Sequence, residues 1–376
     1  MTHRAFNAAP HEYLLELDVP AAPGHSCDLA IIEFDDQGAL WQLDQLQSAL
    51  DVIARRNKTA ERGVLVVLFI HGWKNNANPT RGDLANFRLE VVRIAEQQYR
   101  RGTPHPDRVV GVYLGWRGLT SRLPIYKELT FWARRLAAER VASLNMREVL
   151  FRVMATTKQR PESKCFIVGH SMGGLVVGKT LAPSLTTLLV THGAQGIHVP
   201  ADLIVLANPA LDALSSWQFI DFLKRAKARL ELRAADGATR AAPGPIVVSM
   251  TSEADSATSR AYPFGRTVSA LLSLAAFRRD RHHGLPSQRF LATHAEGHVD
   301  DLVSHRARVV DDEVVLERVP DAYNDTPFWI VRVTSEICRD HSDLNNERFG
   351  ALVGQIGQLN HIYDAGVQTW MRCDAL

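Results

Sequence analysis

The sequence predicts an α/β fold built around a mainly parallel sheet. Short apolar, β-branched runs recur along the chain, and amphipathic stretches of helical length separate them. One of these runs, Val64–Ile70, is made only of Val, Leu, Phe and Ile. A strand covered on both faces needs that composition, which puts this run in the interior of the sheet. Alternation of strands and helices at these lengths implies right-handed crossovers between parallel neighbours.

Taken in order, residues 12–19 and 28–34 read as two early strands. Leu40, Leu43, Leu46, Leu50 and Ile53 then recur at helical spacing, ahead of the interior strand at 63–70. Residues 83–99 form an amphipathic helix with Asp83 as its expected N-cap, and Arg108–Trp116 is the next strand. Further strands are expected at 164–168, 201–206, 245–250 and 328–334, and further helices at 146–158, 175–189, 216–230 and 347–359. The expected sheet therefore has eight strands. Two connections, 117–145 and 256–327, are longer than a crossover requires and read as cap or lid insertions above a single domain spanning residues 1–376.

Composition excludes several classes. With 43 Lys+Arg against 41 Asp+Glu the formal net charge is +2, far from the basic excess of a chain that binds nucleic acid through its phosphates. Hydrophobic residues at 46% and charged residues at 22% are ordinary for a globular chain with a large core. The cysteines, Cys27, Cys165, Cys338 and Cys373, have neither metal-binding nor redox spacing and read as buried thiols. No apolar run reaches membrane-spanning length and the N-terminus lacks the pattern of a secretory leader, so a cytoplasmic location is expected.

The chemistry concentrates in 164–174, KCFIVGHSMGG, where an apolar strand runs into a helix through a glycine-flanked serine. A sharp strand-to-helix turn strains its apex residue and holds the Ser171 hydroxyl out at the end of the sheet. The helix that follows aims backbone N–H groups at any developing negative charge there. In this context GHSMGG resembles the nucleophile elbow of the α/β-hydrolases of esterase and lipase type. The resemblance extends over most of the chain through strand order.

That resemblance implies an α/β-hydrolase fold and a set of site residues. His71-Gly72-Trp73, closing the interior strand, matches the family's oxyanion loop of the HG-x type rather than the HGGG type. The backbone N–H groups of Trp73 and Met172 would form the oxyanion hole. A serine hydroxyl needs a base to take its proton and an acid to orient that base, in the chain order Ser, acid, His. Asp255, after the 245–250 strand, occupies the family's usual acid position, with Asp212 one strand earlier as its rival and Glu253 as a third candidate. His341, between the last strand and the last helix, occupies the position of the base, with His298 and His294 as alternatives.

The run His294-Ala295-Glu296-Gly297-His298 invites a metal reading, but Glu296 is displaced from the zincin position and Gly297 weakens a helix, so a solvated loop is expected. No Walker or dinucleotide-binding pattern occurs, and neither metal nor organic cofactor is expected. Phe131 and Trp132, on the basic stretch 123–144, suit either an apolar acyl chain or packing on the sheet. The charged run 278–283 reads as a solvated face. The expectation is a serine hydrolase that cleaves small carboxylic esters through an acyl-enzyme. An acyltransferase or thioesterase with the same triad, or a non-catalytic binding module on the same fold, are its rivals. Oligomeric state is not encoded legibly.

Overall fold

The computed structural model describes residues 13–73, 75, 77, 82–100, 108–117, 127–192, 201–234, 245–263 and 286–359. The architecture is mixed α/β, with a mostly parallel sheet flanked by helices. Its ten strands, β1 (Leu14–Asp18), β2 (Ser26–Phe34), β3 (Val64–Ile70), β4 (Arg108–Trp116), β5 (Lys164–His170), β6 (Leu203–Ala207), β7 (Val247–Ser252), β8 (His305–Val310), β9 (Glu313–Arg318) and β10 (Phe328–Val333), follow the order β1-β2-β4-β3-β5-β6-β7-β10-β8-β9. The chain divides into two compact units, Met1–Leu181 with Pro200–Ile204, and Ala182–Val199 with Val205–Leu376.

In the first unit β1 (Leu14–Asp18) pairs antiparallel with β2 (Ser26–Phe34). The neighbouring pairs, among β2, β3 (Val64–Ile70), β4 (Arg108–Trp116) and β5 (Lys164–His170), are parallel. The connecting helices are α1 (Leu43–Thr59), α2 (Asp83–Arg100), α3 (Lys127–Val141) and α4 (Leu144–Thr157), and α5 (Met172–His192) starts directly after β5. Every residue of β3 but Phe69 is buried, as its uninterrupted apolar run requires. α1 turns Leu46, Ala49, Leu50 and Ile53 inward, and each buried Leu or Ile side chain contributes about 1.5–3 kcal/mol.

Polar clasps set the registers of these layers. Arg56 of α1 grips the buried carboxylate of Asp28 in β2 with two bonds, of 2.5 and 3.0 Å. Ser163, just before β5, accepts from the Val64 amide at 2.9 Å and donates to Asn57 of α1 at 2.7 Å, fixing where β3 begins. Arg134 and Arg117 both bind Asp36, and Arg140 donates to the Asp36 carbonyl, so α3 is tied down onto the loop after β2. Residues 118–126 of the expected first insertion, with Tyr126, lie outside the described residues, as does the side chain of Trp132.

β6 (Leu203–Ala207) is shared between the units at Ile204 and Val205. In the second unit β7 (Val247–Ser252) and β8 (His305–Val310) each pair parallel with β10 (Phe328–Val333). β9 (Glu313–Arg318) closes antiparallel on β8. Its helices are α6 (Ala213–Ala234), α7 (Gln288–Thr293) and α8 (Glu347–Leu359).

The sheet has ten strands where the sequence predicts eight, and both additional strands, β8 and β9, come from the stretch 256–327 read as cap or lid. They form a two-residue hairpin in which Val310 faces Glu313, and its turn residues, Asp311 (φ 49°) and Asp312 (φ 66°), are both left-handed. That is the backbone a tight hairpin with right-twisted strands demands. The charge of this run, HRARVVDDEVVLER, masks its alternation, since only one face of an outer strand needs to be apolar. The charged run 278–283 lies outside the described residues. Cys27, Cys165 and Cys338 are free and buried, and burial raises the Cys27 thiol to about 12 and that of Cys338 to about 11. No helix of the described residues is long and apolar enough to cross a membrane.

Candidate active site

Ser171 is the one residue between β5 and α5, with φ at 56°. A left-handed serine is strained, and the turn persists because its neighbours leave no alternative. A Cβ on Gly169 would come within 2.8 Å of the Gly173 carbonyl oxygen and the Gly174 Cα, so β5 and α5 approach too closely for any side chain there. Gly173 in turn lies against the backbone at the end of β3. Gly169 and Gly173 of GHSMGG are thus packing requirements, and Met172, which follows the serine, is fully buried as the first residue of α5.

The HGW loop is held by its own histidine. His71 is completely buried; its Nδ1–H donates to the Gly72 carbonyl at 2.8 Å, and its Nε2 accepts from the Trp116 amide at 3.0 Å. The Trp116 indole N–H returns a bond to the His71 carbonyl at 3.0 Å, and the imidazole stacks on both Tyr113 and Trp116. Burial lowers the pKa of His71, which agrees with the neutral tautomer these bonds require. Trp73 is half-buried and meets Phe131 of α3 edge-on, with ring centroids 5.2 Å apart. A Cβ on Gly72 would lie 2.8 Å from that of Ser171, so the HGW loop and the β5–α5 turn are in direct contact.

Asp83 is not the N-cap of α2 but its first residue, because Asn75 takes the capping role by accepting from the Asp83 amide at 3.3 Å. The Asp83 carboxylate instead faces His170, with Oδ2 3.8 Å from Nδ1. Burial pushes its pKa up, but His170, His71 and the Gly72 amide outweigh that and hold it below the usual carboxylate range.

In the second unit the structure brings Asp255 and His341 together: His341 Nδ1 donates to Asp255 Oδ2 at 2.8 Å. Asp255 is fully buried beyond the end of β7, and its two oxygens accept four bonds. The others come from the amides of Ala257 (2.9 Å) and Thr258 (3.2 Å) and from the Thr258 hydroxyl (2.5 Å). Burial works to raise this carboxyl, yet the His341 and Thr258 bonds prevail and lower it. A carboxylate so held fixes His341 with Nδ1 protonated and leaves Nε2 as the basic nitrogen.

The rival acids are otherwise engaged. Asp212 Oδ1 accepts from both the amide and the hydroxyl of Ser215 at 2.9 Å, as an N-cap of α6 does, and Glu253 is exposed. Among the alternative bases, His294 stacks on Phe290 and its Nδ1 bonds the Phe290 carbonyl, while His298 Nε2 lies 2.8 Å from Thr258 Oγ. The stretch 294–298, expected as a solvated loop, is packed inside: Ala295, Glu296 and Gly297 are all buried. Glu296 accepts from the Ser216 hydroxyl, the Gly297 carbonyl takes the Arg332 guanidinium, and Gly297 lies on Thr251 with no room for a side chain. Burial raises the Glu296 carboxyl to about 7. Among the described residues no group of three or more His, Cys, Asp or Glu could hold a metal ion.

Sequence reasoning missed Asn208. Left-handed at φ 44° after β6, it donates to the His341 carbonyl at 3.0 Å and accepts from the Ser252 amide at 2.8 Å. The Ser252 hydroxyl donates to the Cys338 carbonyl at 2.5 Å, and the Glu253 amide donates to Val333 at 3.0 Å. The loops bearing Asp255 and His341 are thus braced together at their roots. The only local signal was Asn208 before Pro209 at a strand end, where Asn tolerates the left-handed region.

No family model matches the chain, and no curated protein matches it. Among solved structures, phospholipase PlaB from Legionella pneumophila, in complex with thio-NAD, is similar at 14% identity and a TM-score of 0.28. The match covers 68% of this chain and 49% of that one, so the chain spans about half the length of the phospholipase. At that TM-score the likeness carries no argument about fold or activity.

Proposed function

We propose that the protein is a serine hydrolase of α/β-hydrolase type that cleaves carboxylic esters through an acyl-enzyme. The observation that carries the reading is the bond between His341 Nδ1 and the buried Asp255, Asp255 following β7 and His341 lying in the loop between β10 and α8. The strained Ser171 between β5 and α5, in contact with the HGW loop, supports it independently.

In this reading Ser171 Oγ attacks the ester carbonyl carbon while His341 Nε2 takes its proton. The resulting oxyanion is held by the backbone N–H groups of Trp73 and Met172. The intermediate collapses, the C–O bond to the alcohol breaks, and His341 returns the proton to the departing oxygen. Water then attacks the acyl-enzyme with His341 again as base, releasing the acid and restoring Ser171. Asp255 orients the imidazole and stabilises its charged form. Phe131, edge-on to Trp73, would give the acyl side an apolar wall.

A fluorophosphonate probe is expected to label the protein at Ser171, and Ser171→Ala to lose both the label and roughly 10⁴-fold or more in kcat on p-nitrophenyl esters, with an unchanged melting profile. Equal labelling of wild type and variant would sink the proposal. Comparing chain lengths in that ester series sets the acyl preference, and products formed with added alcohols separate hydrolysis from acyl transfer.

A further inference from the structure

Asp255 Oδ2 is shared by two donors, His341 Nδ1 at 2.8 Å and Thr258 Oγ at 2.5 Å. The second contact continues outward, because Thr258 Oγ also lies 2.8 Å from His298 Nε2. The direction of every bond in this chain follows from proton counting. An ionised carboxylate only accepts, so the single hydroxyl hydrogen of Thr258 goes to Asp255. Thr258 Oγ then has only lone pairs left for His298, and Nε2 must carry the hydrogen. We infer that Thr258 and His298 are positioning residues that act through Asp255: the neutral imidazole of His298 donates to Thr258, Thr258 donates to Asp255, and the pair sets how strongly Asp255 attracts the proton of His341. This rests on the proposed roles of Ser171, His341 and Asp255 and adds a specified electrostatic task to two residues outside them.

The surroundings suit a neutral donor. His298 ends the short turn Glu296–His298, and burial lowers it to about 4, with Arg332 and His294 acting in the same direction against the pull of Asp255. Arg332, on β10, is itself spent on the Gly297 carbonyl and on Asp300. The groups that face Asp255 are the hydroxyl and amide of Thr258, the amide of Ala257, the imidazole of His341 and, more distantly, His298 and the buried Cys338 thiol. Thr258 is 2% exposed, so water does not replace its hydroxyl cheaply. Hydrogen bonds in series polarise one another, and the His298 donor thereby strengthens the Thr258 bond to Asp255.

Loss of this donor leaves Asp255 more basic. A more basic Asp255 holds the imidazolium form of His341 more tightly, so the acid limb of the kcat/KM profile moves to higher pH. Thr258→Val, nearly isosteric, is expected to raise that limb by about half a unit to one unit and, because Asp255 also loses one of the bonds that fix its position against His341, to lower kcat several-fold at unchanged KM. Thr258→Ser restores both. His298→Leu shifts the limb in the same direction by less, and His298→Gln, whose amide donates from nearly the same place as Nε2, stays close to wild type. A fall in kcat for Thr258→Val with the limb unmoved overturns the inference, as does a His298→Leu profile that superposes on wild type. Fluorophosphonate labelling of every variant keeps the two claims apart. If wild type neither labels nor hydrolyses esters, the reading of the site fails; if all variants label and only the limb is indifferent, this inference fails and that reading stands.

Discussion

Asn208 shows how one side chain can brace two loops at their roots. Its carboxamide spans from the Ser252 amide to the His341 carbonyl, and its left-handed backbone is what turns the side chain toward both. Substituting glycine retains the backbone freedom and removes only the carboxamide, which separates the two contributions. Asn208→Gly is expected to lose about 1–3 kcal/mol in urea unfolding, since the Ser252 amide is left buried without its acceptor, and to slow ester hydrolysis while keeping the fluorophosphonate label. A variant as stable as wild type would show that water takes over both bonds. His71 carries the complementary lesson. A histidine next to the Ser171 turn invites a catalytic role, but its tautomer, burial and two backbone bonds make it a structural pin for the HGW loop.

At the level of the element, the β8–β9 hairpin is where turn chemistry and sequence diverge most. Two successive aspartates occupy left-handed positions that Asn-Gly or Asp-Gly normally fill. The strain is local and the strands around it are well paired, so relieving it should stabilise the second unit without altering the sheet. Asp312→Gly is expected to raise stability by about 0.5–1 kcal/mol, read as a higher urea midpoint at constant m-value. A lower midpoint would mean that the Asp312 bond to Arg348 of α8 outweighs the backbone strain. The β5–α5 turn uses the opposite solution. It retains strain at Ser171 and surrounds it with glycines whose absent side chains let β5, α5 and the end of β3 close up.

Across the whole molecule, buried carboxyls of two kinds set the dependence of stability on pH. Glu33 in the first unit and Glu296 in the second are both raised by burial to about 7, and their ionised forms are therefore penalised in the folded state. Between pH 4.5 and 7 the unfolded chain releases these protons while the folded chain keeps them, so their contribution to stability falls as pH rises through this window. Asp83 and Asp255 are lowered despite their burial, by histidine partners above all. Their contribution is complete above the ordinary aspartate range and is lost as pH falls through their depressed folded values. His71, His298 and His305, lowered by burial, act in the opposite sense to the two glutamates, since their contribution is lost as pH falls below the ordinary histidine range. The double variant Glu33→Gln, Glu296→Gln should therefore gain stability at pH 7 relative to pH 4.5 when compared with wild type. Urea midpoints measured across pH 3–8 test this, and an unchanged difference between the two pH values in the double variant would refute it. The same contrast between local and long-range causes separates what was legible in the chain from what was not. β3, the eight apolar strands and the glycine-flanked turn at Ser171 could be read directly, because hydrophobic periodicity and backbone strain act over a few residues. The charged β8–β9 strands, the burial of Glu296 and the Thr258–His298 chain could not. Each depends on a partner tens of residues away, or on a face being covered by another element. That is also why the sequence offered Asp255, Asp212 and Glu253 as acids for His341, and only packing in three dimensions set one of these carboxylates 2.8 Å from its imidazole.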